Sequence, residues 1–178
     1  MRRERGFTLV ESLVSTLVFG LIVGIVFGFL APANKASNKV RLEAEMGNQG
    51  EMALSRLTRD TQSATSVANS ATDTSLVLNL QRYASNGNLL DGQFDQVTYR
   101  KVGSSLTYSR SPITDQVVLR NLQDDVTLFS YFDASLADAS GSLSNARVIR
   151  IALHTARSYG GRLLQARQTR DVRLRNAP

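Results

Sequence analysis

The chain starts with Arg2-Arg3-Glu4-Arg5-Gly6-Phe7-Thr8-Leu9-Val10-Glu11 and passes directly into an apolar stretch that ends near Leu30. The polar residues of this stretch all lie in its first half, and residues 17–30 are only Leu, Val, Phe, Ile and Gly. As an α-helix, residues 7–30 would rise about 36 Å, which is enough to cross the hydrocarbon core of a bilayer. The sequence therefore predicts a membrane-spanning helix over residues 7–31.

One carboxylate, Glu11, lies inside this predicted span. An acidic side chain deep in a bilayer costs roughly 2.5 to 3.5 kcal/mol, so Glu11 needs either a partner or a position at the headgroup level, from which it snorkels to water. Three arginines precede the apolar stretch. The positive-inside rule then predicts a single-pass inner-membrane protein whose amino terminus is cytoplasmic and whose residues after Pro32 are extracytoplasmic, in the periplasm.

A secretory signal peptide is the alternative interpretation of the same segment. A basic start, an apolar run and the small-residue site Ala31-Pro32-Ala33 fit such a signal. The apolar run is longer than the usual 7 to 15 residues, and an acidic residue near its start is unusual in a signal peptide. These two features favour a retained helix.

The string Gly6-Phe7-Thr8-Leu9-Val10-Glu11 after a short basic leader resembles the class III signal of type IV pilins and of the pseudopilins of type II secretion. The resemblance implies that prepilin peptidase removes residues 1–6 by cutting between Gly6 and Phe7 and that Phe7 becomes N-methylated. It also implies assembly with other pilin or pseudopilin subunits, in which the carboxylate of Glu11 meets the new amine of a neighbouring subunit. A paired charge is tolerated in hydrocarbon where a single charge is not.

Residues 32–67 read as an amphipathic continuation of the helix, with its helical pattern beginning near Lys35. Pro32 predicts a kink or a break where the helix leaves the membrane, and Gly47-Asn48-Gln49-Gly50 predicts a break or bend. The resemblance implies that the apolar stripe packs across a sheet. The stripe consists of Val40, Ala44, Leu54, Leu57, Thr61 and Ala64.

Residues 68–178 change to the period of β-strands and are rich in turn residues, which predicts a β-rich extracytoplasmic head. A long helix followed by a run of short antiparallel strands is an α+β pattern, and the resemblance makes this architecture pilin-like. The predicted strands are 75–81, 96–101, 105–109, 116–121, 126–132, 147–154 and 164–174.

Three further segments, residues 52–60, 126–133 and 172–176, are similar to the J-type minor pseudopilins and related minor pilins. This similarity implies a minor subunit that initiates or caps a type IV pilus or a type II secretion pseudopilus. Two alternatives remain: the major filament subunit, and an adhesive or DNA-binding tip subunit such as competence would use.

Positive charge is concentrated at the carboxyl end, since residues 147–178 carry eight arginines against Asp171 alone. Alternation along the last predicted strand places Arg167, Arg173 and Arg175 on one face. This basic face predicts contact with DNA phosphates or with an acidic neighbour, and the simpler interpretation is a solvated strand face.

The composition argues against an enzyme. The chain has no Cys and one His, His154, and it contains no G-x-S-x-G, H-E-x-x-H or P-loop pattern. The remaining acidic clusters, Asp124-Asp125 and Glu43 with Glu45, read as a turn and as two different faces of a helix. We therefore expect a structural protein without a metal or another cofactor, and an anchored enzyme without a recognisable site is the alternative.

Overall fold

The computed structural model describes residues 8–83, 89–124 and 126–175. Helix α1 extends from Leu9 to Ser63 and is followed by eight strands. The α+β architecture predicted from the sequence, with a long amino-terminal helix and antiparallel sheets after it, is confirmed. The chain divides into two compact units between Leu42 and Glu43.

Helix α1 is continuous, which corrects two predictions. The breaks predicted as alternatives at Pro32 and around Gly47 and Gly50 are wrong, whereas the predicted kink at Pro32 and the predicted bend at the glycines stay predictions. The helix also ends earlier than predicted, because Ala64–Val67 form strand β1. Each glycine in a helix costs about 1 kcal/mol relative to alanine. Gly50 is buried under the sheet, so packing at this position outweighs the low helix propensity of glycine.

Gly50 lies where a strand side chain crosses the helix. A Cβ atom at this position would overlap the amide group of Gln168, and Gln168 Nε2 donates a hydrogen bond to the carbonyl oxygen of Gly47 at 2.8 Å. Glu51 accepts a hydrogen bond from Arg170 at 3.3 Å one turn further along. The Gly-rich part of the helix therefore lets one strand approach closely.

Gly50→Ala is expected to lower the free energy of unfolding in the wild-type background, because the new methyl group displaces Gln168 and breaks its bond to Gly47. In a Gln168→Ala background the same change is expected to raise it by about 1 kcal/mol, the helix propensity of alanine over glycine. Urea titrations of the four proteins measure this reversal of sign. Equal effects of Gly50→Ala in both backgrounds would contradict the proposed contact.

The second unit buries one stripe of helix α1 at intervals of three and four residues. Leu54, Leu57 and Thr61 were predicted in this stripe and are buried. Val40 and Ala44 were also predicted there but are exposed, and Val40 keeps 64% of its accessible surface. The complete buried stripe of the helix is Met46, Gly50, Ala53, Leu54, Leu57 and Thr61.

The first sheet has the order β1-β2-β3-β4-β5, and all its neighbouring strands are antiparallel. Its inner face packs on the helix through Leu76, Leu78, Val97 and Tyr99, all fully buried. The strands are β1 Ala64–Val67, β2 Ser75–Tyr83, β3 Leu89–Val102, β4 Ser105–Arg110 and β5 Ile113–Leu119.

The second sheet has the order β6-β7-β8, with strands Phe129–Phe132, Val148–Tyr159 and Arg162–Arg173. The chain after β5 joins the two sheets, because Leu122 N donates to Ser104 O beside β4 and Gln123 N donates to His154 O in β7. Strands β7 and β8 form a hairpin whose two-residue turn, Gly160 and Gly161, has positive φ at both positions, as glycine favours.

The seven predicted strands are found with shifted ends. Strand β1 was missed, and the prediction for 126–132 was too long, since β6 begins at Phe129. The predicted strand 116–121 is also displaced, because β5 ends at Leu119 and Asn121 has a positive φ. The extension of β7 to Tyr159 follows from its pairing with every residue of β8.

A buried polar contact ties the helix to the first sheet. The Tyr99 hydroxyl donates a hydrogen bond to Asp60 Oδ2 at 2.6 Å, and the Arg56 guanidinium lies 3.8 Å from the centre of the Tyr108 ring. Burial, together with the adjacent Asp60 carboxylate, raises the pKa of Tyr99. The hydroxyl therefore stays protonated and continues to donate, which fixes the helix against strands β3 and β4.

Candidate functional site

The helix begins with a capping arrangement that involves Glu11. Thr8 precedes the first helical residue, and its Oγ1 accepts a hydrogen bond from Glu11 N at 3.3 Å. Thr8-Leu9-Val10-Glu11 is a Thr-x-x-Glu capping pattern, in which the acidic residue also lies at the positive end of the helix dipole. The signal is present in the sequence but was not predicted.

Gly6 and Phe7, where cleavage and methylation were predicted, lie outside the described residues. Glu11 is on the exposed first turn of α1, beside the polar residues Ser12 and Ser15 and the apolar residues Val10 and Val14, all of which are exposed as well. This arrangement leaves the Glu11 carboxylate accessible to another molecule.

Over residues 17–30, helix α1 is apolar on all sides. Within the described residues, α1 is the one helix long and apolar enough to cross a membrane, and its most apolar window has a mean hydropathy of 2.6 with no residue buried inside the chain. A helix that is apolar all round is typical of a membrane span or of a helix covered by other subunits. The exposed large side chains include Leu13, Leu17, Phe19, Ile22, Phe27 and Phe29.

The alternation predicted for the last strand is found in β8. Leu164 and Val172 are buried on the inner face, whereas Arg167 and Arg173 are exposed on the outer face. Arg175 is exposed as well but lies two residues beyond the end of β8, so it does not share the strand face that was predicted for it.

A salt bridge partly neutralises this outer face. Arg150 on β7 donates to both carboxylate oxygens of Asp171, at 2.7 and 2.9 Å, and it lies 5.1 Å from the centre of the Phe132 ring. Hydrogen bonding to Arg150 lowers the pKa of Asp171. Arg167 and Arg173 are left to supply the positive charge of the strand face, and DNA binding by this face stays a prediction.

A cleft of about 340 Å³ lies beside β6. Its polar groups are used within the chain: the Tyr131 hydroxyl donates to Thr72 O at 2.8 Å, and Asp138 Oδ1 accepts from Ser140 N at 2.9 Å. Burial raises the pKa of Tyr131. These contacts stabilise a loop and do not assemble an acid, a base and a nucleophile.

The other sequence candidates do not come together among the described residues, and Asp125 lies outside them. His154 is half-buried in the middle of β7, which extends five residues beyond it. Across residues 8–83, 89–124 and 126–175, no three His, Cys, Asp or Glu side chains form a group that could hold a metal ion.

Residues 1–27 match the prokaryotic N-terminal methylation motif. No curated protein matches the chain. The motif supports a type IV pilin or pseudopilin subunit, a structural class and not an enzyme class, and together with the apolar helix it fits membrane anchoring and assembly with other such subunits.

Proposed function

We propose that this chain is a minor pilin or pseudopilin that initiates or caps a type IV pilus or a type II secretion pseudopilus. The mature protein is a single-pass inner-membrane subunit with its head in the periplasm before it joins the filament. Prepilin peptidase processes it between Gly6 and Phe7, and its partners are other pilin or pseudopilin subunits.

The observation that carries this proposal is the methylation motif at the head of an exposed helix that contains Glu11 in its first turn and is entirely apolar over residues 17–30. A charge at this position has no internal partner of opposite sign among the described residues. The amine that cleavage creates on Phe7 of an adjacent subunit supplies that partner. Three head and helix segments, residues 52–60, 126–133 and 172–176, support the minor class by their similarity to J-type subunits.

Processing predicts a defined amino terminus. Mass spectrometry of the protein purified from membranes is expected to show a chain that begins with N-methylated Phe7 and lacks residues 1–6. A mature chain that begins after Ala33 would instead support a secretory signal peptide. Cells without prepilin peptidase are the control, because they should retain the full-length chain.

The minor role predicts a small copy number with a large effect on assembly. Deleting the gene is expected to abolish or strongly reduce filaments, and low-level expression in trans is expected to restore them. Quantitative mass spectrometry of purified filaments is expected to find this chain at a few per cent of the major subunit or less. Equimolar or greater amounts would identify it as the major filament subunit and contradict the proposal.

A further inference from the structure

Strand β8 has one unpaired edge. It pairs with β7 along all twelve of its residues, and no other described strand pairs with it. Most of its residues are exposed, including Arg162, Leu163 and Thr169. Edge strands present free backbone N–H and C=O groups that can template a further strand.

The hydrogen bonds of β7 show which backbone groups face this edge. Ala152 and Ala156 of β7 donate away from β8, to Leu128 O and Asn121 O at 2.9 and 2.8 Å. Even-numbered residues of β7 therefore bond on the side opposite β8, and their cross-strand partners in β8 are odd-numbered. The β8 residues whose N–H and C=O groups point to the free edge are Gln165, Arg167, Thr169, Asp171 and Arg173.

The same residues carry the outward-facing side chains of the strand. Asp171 is held by Arg150, and on the inner face Arg170 is paired with Glu51 at 3.3 Å. Among the described residues, neither Arg167 nor Arg173 forms an ion pair. The edge therefore offers backbone hydrogen bonds together with two guanidinium groups six residues apart on one face.

We propose that the free edge of β8 binds an extended, acidic segment of a different protein as an added β-strand. Main-chain bonds to residues 165–173 supply affinity, and carboxylates of the added strand opposite Arg167 and Arg173 supply specificity and register. This interaction is separate from helix assembly in the membrane and goes beyond the proposed function.

Charge favours a foreign strand over a second copy of this chain. Pairing two β8 strands would bring together two segments that each carry four arginines, Arg162, Arg167, Arg170 and Arg173, against one aspartate. Like charges directly opposite each other on paired strands are destabilising, and the one aspartate, Asp171, is already paired with Arg150. A nucleic acid would use the guanidinium groups but has no repeating amide groups to match the backbone edge.

The test uses the full chain in nanodiscs of zwitterionic lipid and a dye-labelled peptide of eleven residues that alternates glutamate with threonine. Fluorescence anisotropy is expected to show saturable binding that weakens as salt is raised. A peptide of the same composition with its glutamates in one block, and a 20-base-pair DNA duplex, are expected to bind at least about tenfold more weakly.

Variants separate the two contributions of the edge. Thr169→Pro removes an N–H that points to the free edge without touching the β7 ladder, and Thr169→Val is its matched control with that N–H intact. The double variant Arg167→Glu, Arg173→Glu removes the positive charge of the edge. Arg120→Glu is its control, because it reverses the charge of an exposed residue outside the second sheet. The proline variant and the double variant are expected to bind at least about tenfold more weakly, and both controls to bind normally.

Hydrogen exchange provides a readout that does not depend on the folding of the proline variant. Peptide binding to the wild-type chain is expected to slow exchange at the amides of Arg167, Thr169 and Asp171 and to leave that of Gln168 unchanged. The proposal is overturned by the absence of saturable peptide binding, by preferential binding of DNA, or by equal protection of odd and even positions. Concentration-dependent disulfide dimers of a Thr169→Cys variant, in a chain that has no other cysteine, would assign the edge to a second copy and also overturn it.

Discussion

Replacing Glu11 by alanine is expected to reduce incorporation of this subunit into filaments by at least about tenfold while leaving cleavage at the leader intact. The change removes the carboxylate that the proposed assembly pairs with the amine of an adjacent subunit, and that amine then remains without a partner in hydrocarbon. Immunoblots of purified filaments and of membranes measure the two effects separately. Normal incorporation of the processed variant would contradict the pairing hypothesis.

Two further variants separate charge pairing from helix capping. Glu11 N bonds to Thr8 Oγ1, so Thr8→Val removes the cap, at a cost of about 1 kcal/mol, without changing the charge. Glu11→Asp retains the negative charge on a side chain that is one methylene group shorter. We expect Thr8→Val and Glu11→Asp to assemble much better than Glu11→Ala. If Thr8→Val is as defective as Glu11→Ala, the start of the helix and not the charge determines incorporation.

Leu57→Ala is expected to lower the free energy of unfolding of the head by about 3 kcal/mol. Leu57 is fully buried in the helix face that packs beneath the sheets, so truncation leaves a cavity as well as losing apolar contacts. For a head of this size the urea midpoint should fall by about 1.5 M. Circular dichroism of the full chain in detergent follows the transition of the β-rich part.

Met52→Ala is the matched control for Leu57→Ala, because Met52 lies on the same helix and retains 61% of its accessible surface. Its urea midpoint is expected to change little, since surface substitutions usually alter stability by less than about 0.5 kcal/mol. Equal midpoints for the two variants would show that the helix does not pack against the sheets as described.

The features that the sequence predicted correctly depend on repeated local patterns. The apolar run after Glu11 predicted the helix, and alternation around Arg167 predicted both faces of β8. The change from helical to strand period near Ser75 predicted the α+β class. In each case many neighbouring residues follow the same pattern of apolar and polar positions, so a single exception does not change the prediction.

The errors occurred where a distant contact decides the structure. Gly47 and Gly50 read as helix breakers, but Gln168, more than one hundred residues away, crosses the helix at that point. The bond between Tyr99 and Asp60 likewise joins residues whose proximity no local pattern indicates. Strand β1 was missed because Ala64–Val67 continues the apolar spacing of the helix and becomes a strand by pairing with β2.

The direct junction between helix and sheet has a mechanical consequence. Helix α1 ends at Ser63 and β1 begins at the next residue, so no loop separates the helix from the strand. A pull along the last turns of the helix therefore reaches the β1 and β2 hydrogen bonds without first extending a loop. Leu54 and Leu57 are buried just before the junction, and their contacts with the core also transmit the force to the sheets. The sheets and the part of helix α1 from Glu43 onward are thus expected to move together under tension.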